Sequence, residues 1–131
     1  MAVGGTGVLL PGKGVAVDAE EMIKLCWLAG KEALALRIKN KKARLTRFSS
    51  DGCSMWPDEW EGISLYDACF WHDAEYWVGG SQVDKLAADC ALAVAVARKT
   101  GHAELGLVMF EGVTAGGNAP YAPWRWGFGL K

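Results

Sequence analysis

The sequence has no charge excess: 14 Lys and Arg stand against 15 Asp and Glu, for a formal net charge of −1 at pH 7. Nucleic-acid binding leaves a basic stripe on a chain, and the only basic cluster here runs from Lys39 to Arg47, short enough to be a solvated face. No aromatic and glycine pattern of an RNA-binding sheet accompanies it, so no nucleic-acid partner is expected. Attraction to anionic lipid headgroups is the other use of such a cluster. Long apolar runs are missing too. The most apolar window, residues 86–97, is too short to span a bilayer and contains Asp89. The N-terminus lacks a positively charged n-region and a continuous apolar core, so no secretory signal peptide is expected. There is no internal repeat. Cysteine is sparse, with Cys26, Cys53, Cys69 and Cys90 even in number but not a dense framework, and no redox compartment follows from them.

What is present is apolar bulk. With 131 residues, 51% of them hydrophobic, the chain can bury a real core as one domain. A mainly all-α fold is expected. Residues 1–17 are glycine-rich and read as an extended lead-in. Residues 18–42 read as one N-terminal helix: Ile23, Trp27, Ala33 or Leu34, and Ile38 fall near one stripe, with acidic residues at the front and lysines at the back, as the helix dipole favours. Gly30 weakens its middle. Packing is the expected role of its apolar stripe, with Trp27, Leu28 and Leu36 leaving a membrane-lying or partner-binding face as the alternative.

Residues 49–62 are irregular, with a turn at Asp51-Gly52-Cys53-Ser54 and a loop at 56–60. Residues 64–100 read as two helices meeting at Gly79-Gly80. Ser64 with Asp67, and Ser81 with Asp84, have the capping-box pattern, and Gly79 and Gly101 are stop signals. A third helix is expected over 104–114, with Leu105, Val108, Met109 and Gly112 on one side. Residues 116–131, rich in glycine, proline and tryptophan, read as an irregular tail. It is either a strap over the helices or, with Trp56 and Trp60, an aromatic collar at a membrane interface.

The chemistry concentrates on the helix pair. Leu65, Cys69, His72 and Tyr76 share one helical face. Helices joined by a short glycine turn lie antiparallel, which brings His72 level with Asp89. Asp89 stands on an apolar stripe with Leu86, Cys90, Ala93 and Val96, so it needs a partner, and the imidazole is the candidate. Asp84 is explained as a cap, and His102 as a helix-end residue. An imidazole, an orienting carboxylate and a second carboxylate at Asp73 suit general-base chemistry beside a bound cation. Calcium wants oxygen ligands, which loop carbonyls near Gly52 and the Asp73 carboxylate can offer.

Cys69-x-x-His72-Asp73-x-x-Tyr76, with Asp51-Gly52-Cys53-Ser54 before it and Ala88-Asp89 after it, resembles the phospholipase A2 superfamily, closest to its small bacterial and viral-capsid members. The resemblance covers about residues 51–96. It implies a calcium-dependent hydrolase of the sn-2 ester of glycerophospholipids, with a phospholipid membrane or micelle as substrate. His72, Asp89 and Tyr76 would be the catalytic residues, and Asp73, Gly52 and Ser54 would hold calcium. It also implies a Cys53–Cys69 disulfide. Cys26 and Cys90 could pair or be two buried thiols, and the thiols are favoured. Millimolar calcium and that disulfide would favour an exported protein. Two rivals remain: a catalytically inactive lipid- or protein-binding module on the same fold, and a zinc site of Cys53, Cys69, His72 and Cys90.

Overall fold

The computed structural model describes residues 2–3, 8–53, 56–118 and 124–131. Among the described residues five α-helices dominate: α1 (Ala19–Leu28), α2 (Glu32–Lys41), α3 (Tyr66–Val78), α4 (Gln82–Thr100) and α5 (Ala103–Gly117). Two small antiparallel pairs accompany them, β1 (Ala2–Val3) with β2 (Leu9–Leu10), and β3 (Glu59–Trp60) with β4 (Ile63–Ser64).

The expected single helix over 18–42 is two helices. Asp18 caps α1 by accepting the Glu21 backbone N–H at 2.9 Å. Gly30 then takes a positive φ of 73° and the chain doubles back, so that Met22, Leu25 and Cys26 of α1 join Leu34, Ala35 and Ile38 of α2 in one core cluster. A glycine able to adopt that backbone at no steric cost ends a helix instead of weakening it.

Helix α3 is the shared middle layer. Phe70, Ala74, Trp77 and Val78 pack into the α1–α2 cluster, whereas Ala68 and Cys69 belong to a second cluster with Leu92, Val96 and Met109 of α4 and α5. A helix buried on nearly all sides is expected to be apolar all round. That burial is what makes its His72 and Tyr76 notable, because both are at most 9% exposed.

Its start differs from the expected capping box. Ser64 lies in β4 and its hydroxyl accepts from the Tyr66 backbone at 3.3 Å, while Asp67 pairs with Lys99 at 2.5 Å. The loop at 59–62 is a hairpin, not irregular chain: Glu61 and Gly62, with φ of 49° and 81°, make the tight turn between Trp60 and Ile63. The α4 signals hold as read, with Ser81 and Asp84 capping each other at 3.0 Å and Gly101 left-handed at the end. Helix α5 runs beyond the expected 104–114. Gly106 lets it close on α4, since a Cβ there would lie 2.4 Å from the Ala93 carbonyl. Met109 is buried as expected, but Val108 is 50% exposed.

Of the expected tail, Gly116 and Gly117 end α5, and residues 124–131 form a strap. Gly127 and Gly129 donate backbone N–H groups to the Tyr76 and Trp77 carbonyls at 2.7 and 2.9 Å, satisfying the end of α3. Gly129 has no room for a side chain, because a Cβ would fall 2.1 Å from the Trp77 ring. Trp77 in turn donates its indole N–H to Thr46 at 3.1 Å. No helix among the described residues is long and apolar enough to cross a membrane.

Cys53 and Cys69 form a disulfide with Cα atoms 5.2 Å apart. Cys26 is buried, but Cys90 is exposed, so only one of the two free thiols is a core residue. Burial pushes the Cys26 thiol up to about 12, helped by the nearby Glu75 charge. Thiol titration of the native protein near pH 8 should therefore show one rapidly reacting cysteine, Cys90. Denaturant should expose Cys26 as a second, and reduction should release the remaining pair.

Candidate active site

Asp89 is completely buried. A carboxylate out of water needs its lone pairs filled, and here three helices supply the donors. His72 Nε2 and the Tyr76 hydroxyl, both from α3, meet Oδ1 at 2.8 and 2.7 Å. Lys85 Nζ, one turn earlier on α4, and the Thr114 hydroxyl of α5 both meet Oδ2 at 3.0 Å. Four donors occupy the roughly four acceptor positions of an ionised carboxylate. Burial alone would raise the Asp89 carboxyl, but the bonds from His72, Tyr76 and Lys85 outweigh it and hold the group below its ordinary range. Burial and the charge of Asp89 push the Tyr76 phenol up, so it stays a donor.

An ionised Asp89 accepts and cannot donate, so the hydrogen on neutral His72 sits on Nε2. Nδ1 is then the basic nitrogen, and it makes no hydrogen bond among the described residues. The ring lines a cavity of about 320 Å³, together with Asp73, Tyr76 and the disulfide. Trp56, Leu92, Met109, Val113 and Trp124 make the rest of its wall largely apolar. That is the size and character of a small-molecule site with few polar groups.

Asp73, the next residue on α3, lines the same cavity. Its Oδ2 accepts from the Ser50 hydroxyl at 2.7 Å, and Ser50 accepts from the Gly52 backbone N–H at 3.0 Å. Ser50 thereby ties the loop to the helix. Gly52 has φ of 72°, and a Cβ there would lie 2.5 Å from Asp58, which itself accepts from the Cys53 backbone N–H at 2.8 Å. Burial, with added repulsion from Asp51 and Asp58, raises the Asp73 carboxyl from 3.8 to about 7 even against the Ser50 bond. No cationic side chain pairs with it among the described residues.

This donor set fits a hard cation better than a soft one. No three His, Cys, Asp or Glu side chains gather in a metal-binding group among the described residues. Among the described residues, the half-buried Asp73 carboxylate is the expected side-chain ligand at the cavity, and an ion there would need further oxygen ligands from the loop backbone. Ser54, the third expected ligand, lies outside the described residues. The zinc alternative fails: Cys53 and Cys69 are bonded to each other, which removes two of its four ligands, and Cys90 is exposed.

Apolar periodicity predicts a stripe of Asp89 with Leu86 and Cys90, but Leu86 is 52% exposed and Cys90 is exposed. The buried face of α4 is Lys85, Ala88, Asp89, Leu92 and Val96. Counting apolar residues misplaced the face because a charged pair occupies it. Apolar periodicity does not single out Lys85, although a lysine four residues before an aspartate on one helix is a visible signal. Thr114 and Ser50 had no local signal. His102 stands at the start of α5 beside Glu104 at 3.1 Å and Glu61 at 3.5 Å, and it does not line the cavity.

No family model, curated protein or solved structure matches the chain.

The Asp73 shift carries a sign. Its carboxyl is raised in the folded state, so between pH 3.8 and about 7 the unfolded chain ionises while the folded one keeps its proton, and stability falls across that window. Measured with chelator present, the melting temperature of the wild type should fall relative to Asp73→Asn as pH rises from 4 to 8. The stability difference should be on the order of a few kcal/mol. Parallel curves would show that Asp73 is not desolvated.

Proposed function

We propose that the protein is a calcium-dependent, phospholipase A2-like hydrolase acting on the sn-2 ester of glycerophospholipids. The observation that carries this reading is the His72 ring, held at Nε2 by the buried Asp89 and lining an apolar cavity beside Asp73. The substrate class comes from the resemblance of residues 51–96, and the apolar wall suits an acyl chain.

In this mechanism His72 Nδ1 takes a proton from a water whose oxygen attacks the ester carbonyl. Asp89 holds the ring in the tautomer that leaves Nδ1 free to do so, and its charge stabilises the imidazolium that results. The ring then returns the proton to the departing alkoxide. Tyr76 keeps Asp89 in place from the same helix. Calcium bound at Asp73 and the loop carbonyls would supply positive charge for the oxygen on which negative charge develops. Trp56 and Trp124, the latter 50% exposed, line the cavity, and indoles of this kind suit a headgroup-level interface.

Vesicles of a phospholipid with different acyl chains at sn-1 and sn-2 provide the test. Calcium should give release of the sn-2 fatty acid, and chelator should abolish it. His72→Ala should lower the rate about 100- to 10,000-fold, and Asp73→Asn should remove the response to calcium. Full activity in chelator would reject the mechanism. Vesicle binding without fatty-acid release, equal in wild type and His72→Ala, would identify a lipid-binding module.

A further inference from the structure

Lys85 is the one buried ammonium among the described residues, only 3% exposed, and the mechanism above gives it no task. Its nitrogen meets Asp89 Oδ2 at 3.0 Å and the Thr114 carbonyl at 3.2 Å, and lies 5.7 Å from the centre of the Tyr76 ring. Thr114 is in the last turn of α5, where helix carbonyls lack intrahelical partners and the dipole is negative. Thr114 also sends its hydroxyl to the same Asp89 oxygen at 3.0 Å. Space for the arrangement comes from Gly117: a Cβ there would lie 2.8 Å from Lys85 Cε and 2.5 Å from the Tyr76 hydroxyl.

We propose that Lys85 and Thr114 form a positioning clamp on the far oxygen of Asp89, fixing the plane of the carboxylate and joining it to the helix that walls the cavity. The two α3 donors hold Oδ1 alone, and a carboxylate gripped at one oxygen can still turn about its Cβ–Cγ bond. Two donors on Oδ2 stop that rotation, and the imidazole bonded to Oδ1 inherits the fixed direction. Met109, Gly112 and Val113 of α5 line the cavity, so the clamp also sets the base against the wall that would seat the substrate. Neither residue touches substrate. Both act through Asp89.

The kinetic part of this proposal rests on the hydrolase reading, and the spectroscopic part does not. Lys85→Met and Thr114→Val are compared with wild type by the low-field proton resonance of the His72 Nε2–H and by steady-state hydrolysis of short-chain phospholipid. Lys85→Met should shift or abolish the ring resonance and lower kcat about 10- to 100-fold, the cost of a misaligned base, with KM changed less than twofold. Thr114→Val should move both readouts in the same direction by a smaller amount. Thr114→Val removes only a neutral hydroxyl from the pair and decides the matter where the lysine variant fails to fold. A folded variant that is less stable but keeps the wild-type ring resonance and kcat would overturn the clamp, leaving Lys85 a tie between helices. A protein that releases no fatty acid would refute the hydrolase reading, while the ring resonance would still test the clamp.

Discussion

The site depends on one carboxylate kept charged out of water. Asp89 is reached by solvent nowhere, so its ionisation rests on donors from α3, α4 and α5 together. Removing a partner from such a group leaves a buried charge or lone pair unmet, at a cost of about 1–3 kcal/mol for a neutral donor and more for a charged one. The same four bonds that let Asp89 remain ionised also decide which nitrogen of His72 is basic. Burial, protonation state and direction are one fact seen three ways.

Helix α3 joins that carboxylate to the rest of the core. One face of α3 is locked into the α1–α2 core by Phe70, Trp77 and Val78, with Trp77 held further by Thr46 and the tail glycines. The other face presents His72 and Tyr76 to α4. Arg37 of α2 pairs with Glu75 and donates to the Gly79 carbonyl at 2.5 Å, bracing the turn between α3 and α4. The strap and the α1–α2 hairpin thus anchor the helix whose opposite face carries the polar network, and the imidazole sits on a rigid element.

The loop end of the site is built on a different balance. Asp73 is half-buried beside other carboxylates, with the Ser50 hydroxyl and the Asp51 backbone as donors and no cationic side chain paired with it among the described residues. Asp89 is the reverse, with four donors, one of them the Lys85 ammonium. Two neighbouring carboxyls are thereby pushed in opposite directions, one below its ordinary range and one up to about 7. In the proposed mechanism that divergence suits the separate tasks given to the two groups. The disulfide and Ser50 hold the loop against α3 so that the Asp73 environment does not depend on loop motion alone.

Local chemistry alone was enough for the start and end of α4, because a Ser81–Asp84 box and a left-handed Gly101 need only their own neighbours. It was also enough to set His72, Tyr76 and Cys69 on one face, since helical spacing is a local property, and to place His72 level with Asp89 through the short Gly79-Gly80 turn. Where Gly30 and Ser64 were concerned, local chemistry misled: a glycine can weaken a helix or end it, and a serine can cap a helix or close a hairpin. Which outcome prevails depends on what the chain packs against. The i,i+4 spacing of Lys85 and Asp89 is visible in the sequence, but tertiary structure decided that α4 turns this pair inward and leaves Leu86 outside, because a charged pair can be buried only where partners from other helices wait. It alone brought Thr114 and Ser50 to the two carboxylates, since no sequence spacing encodes a meeting between residues 25 and 23 positions apart.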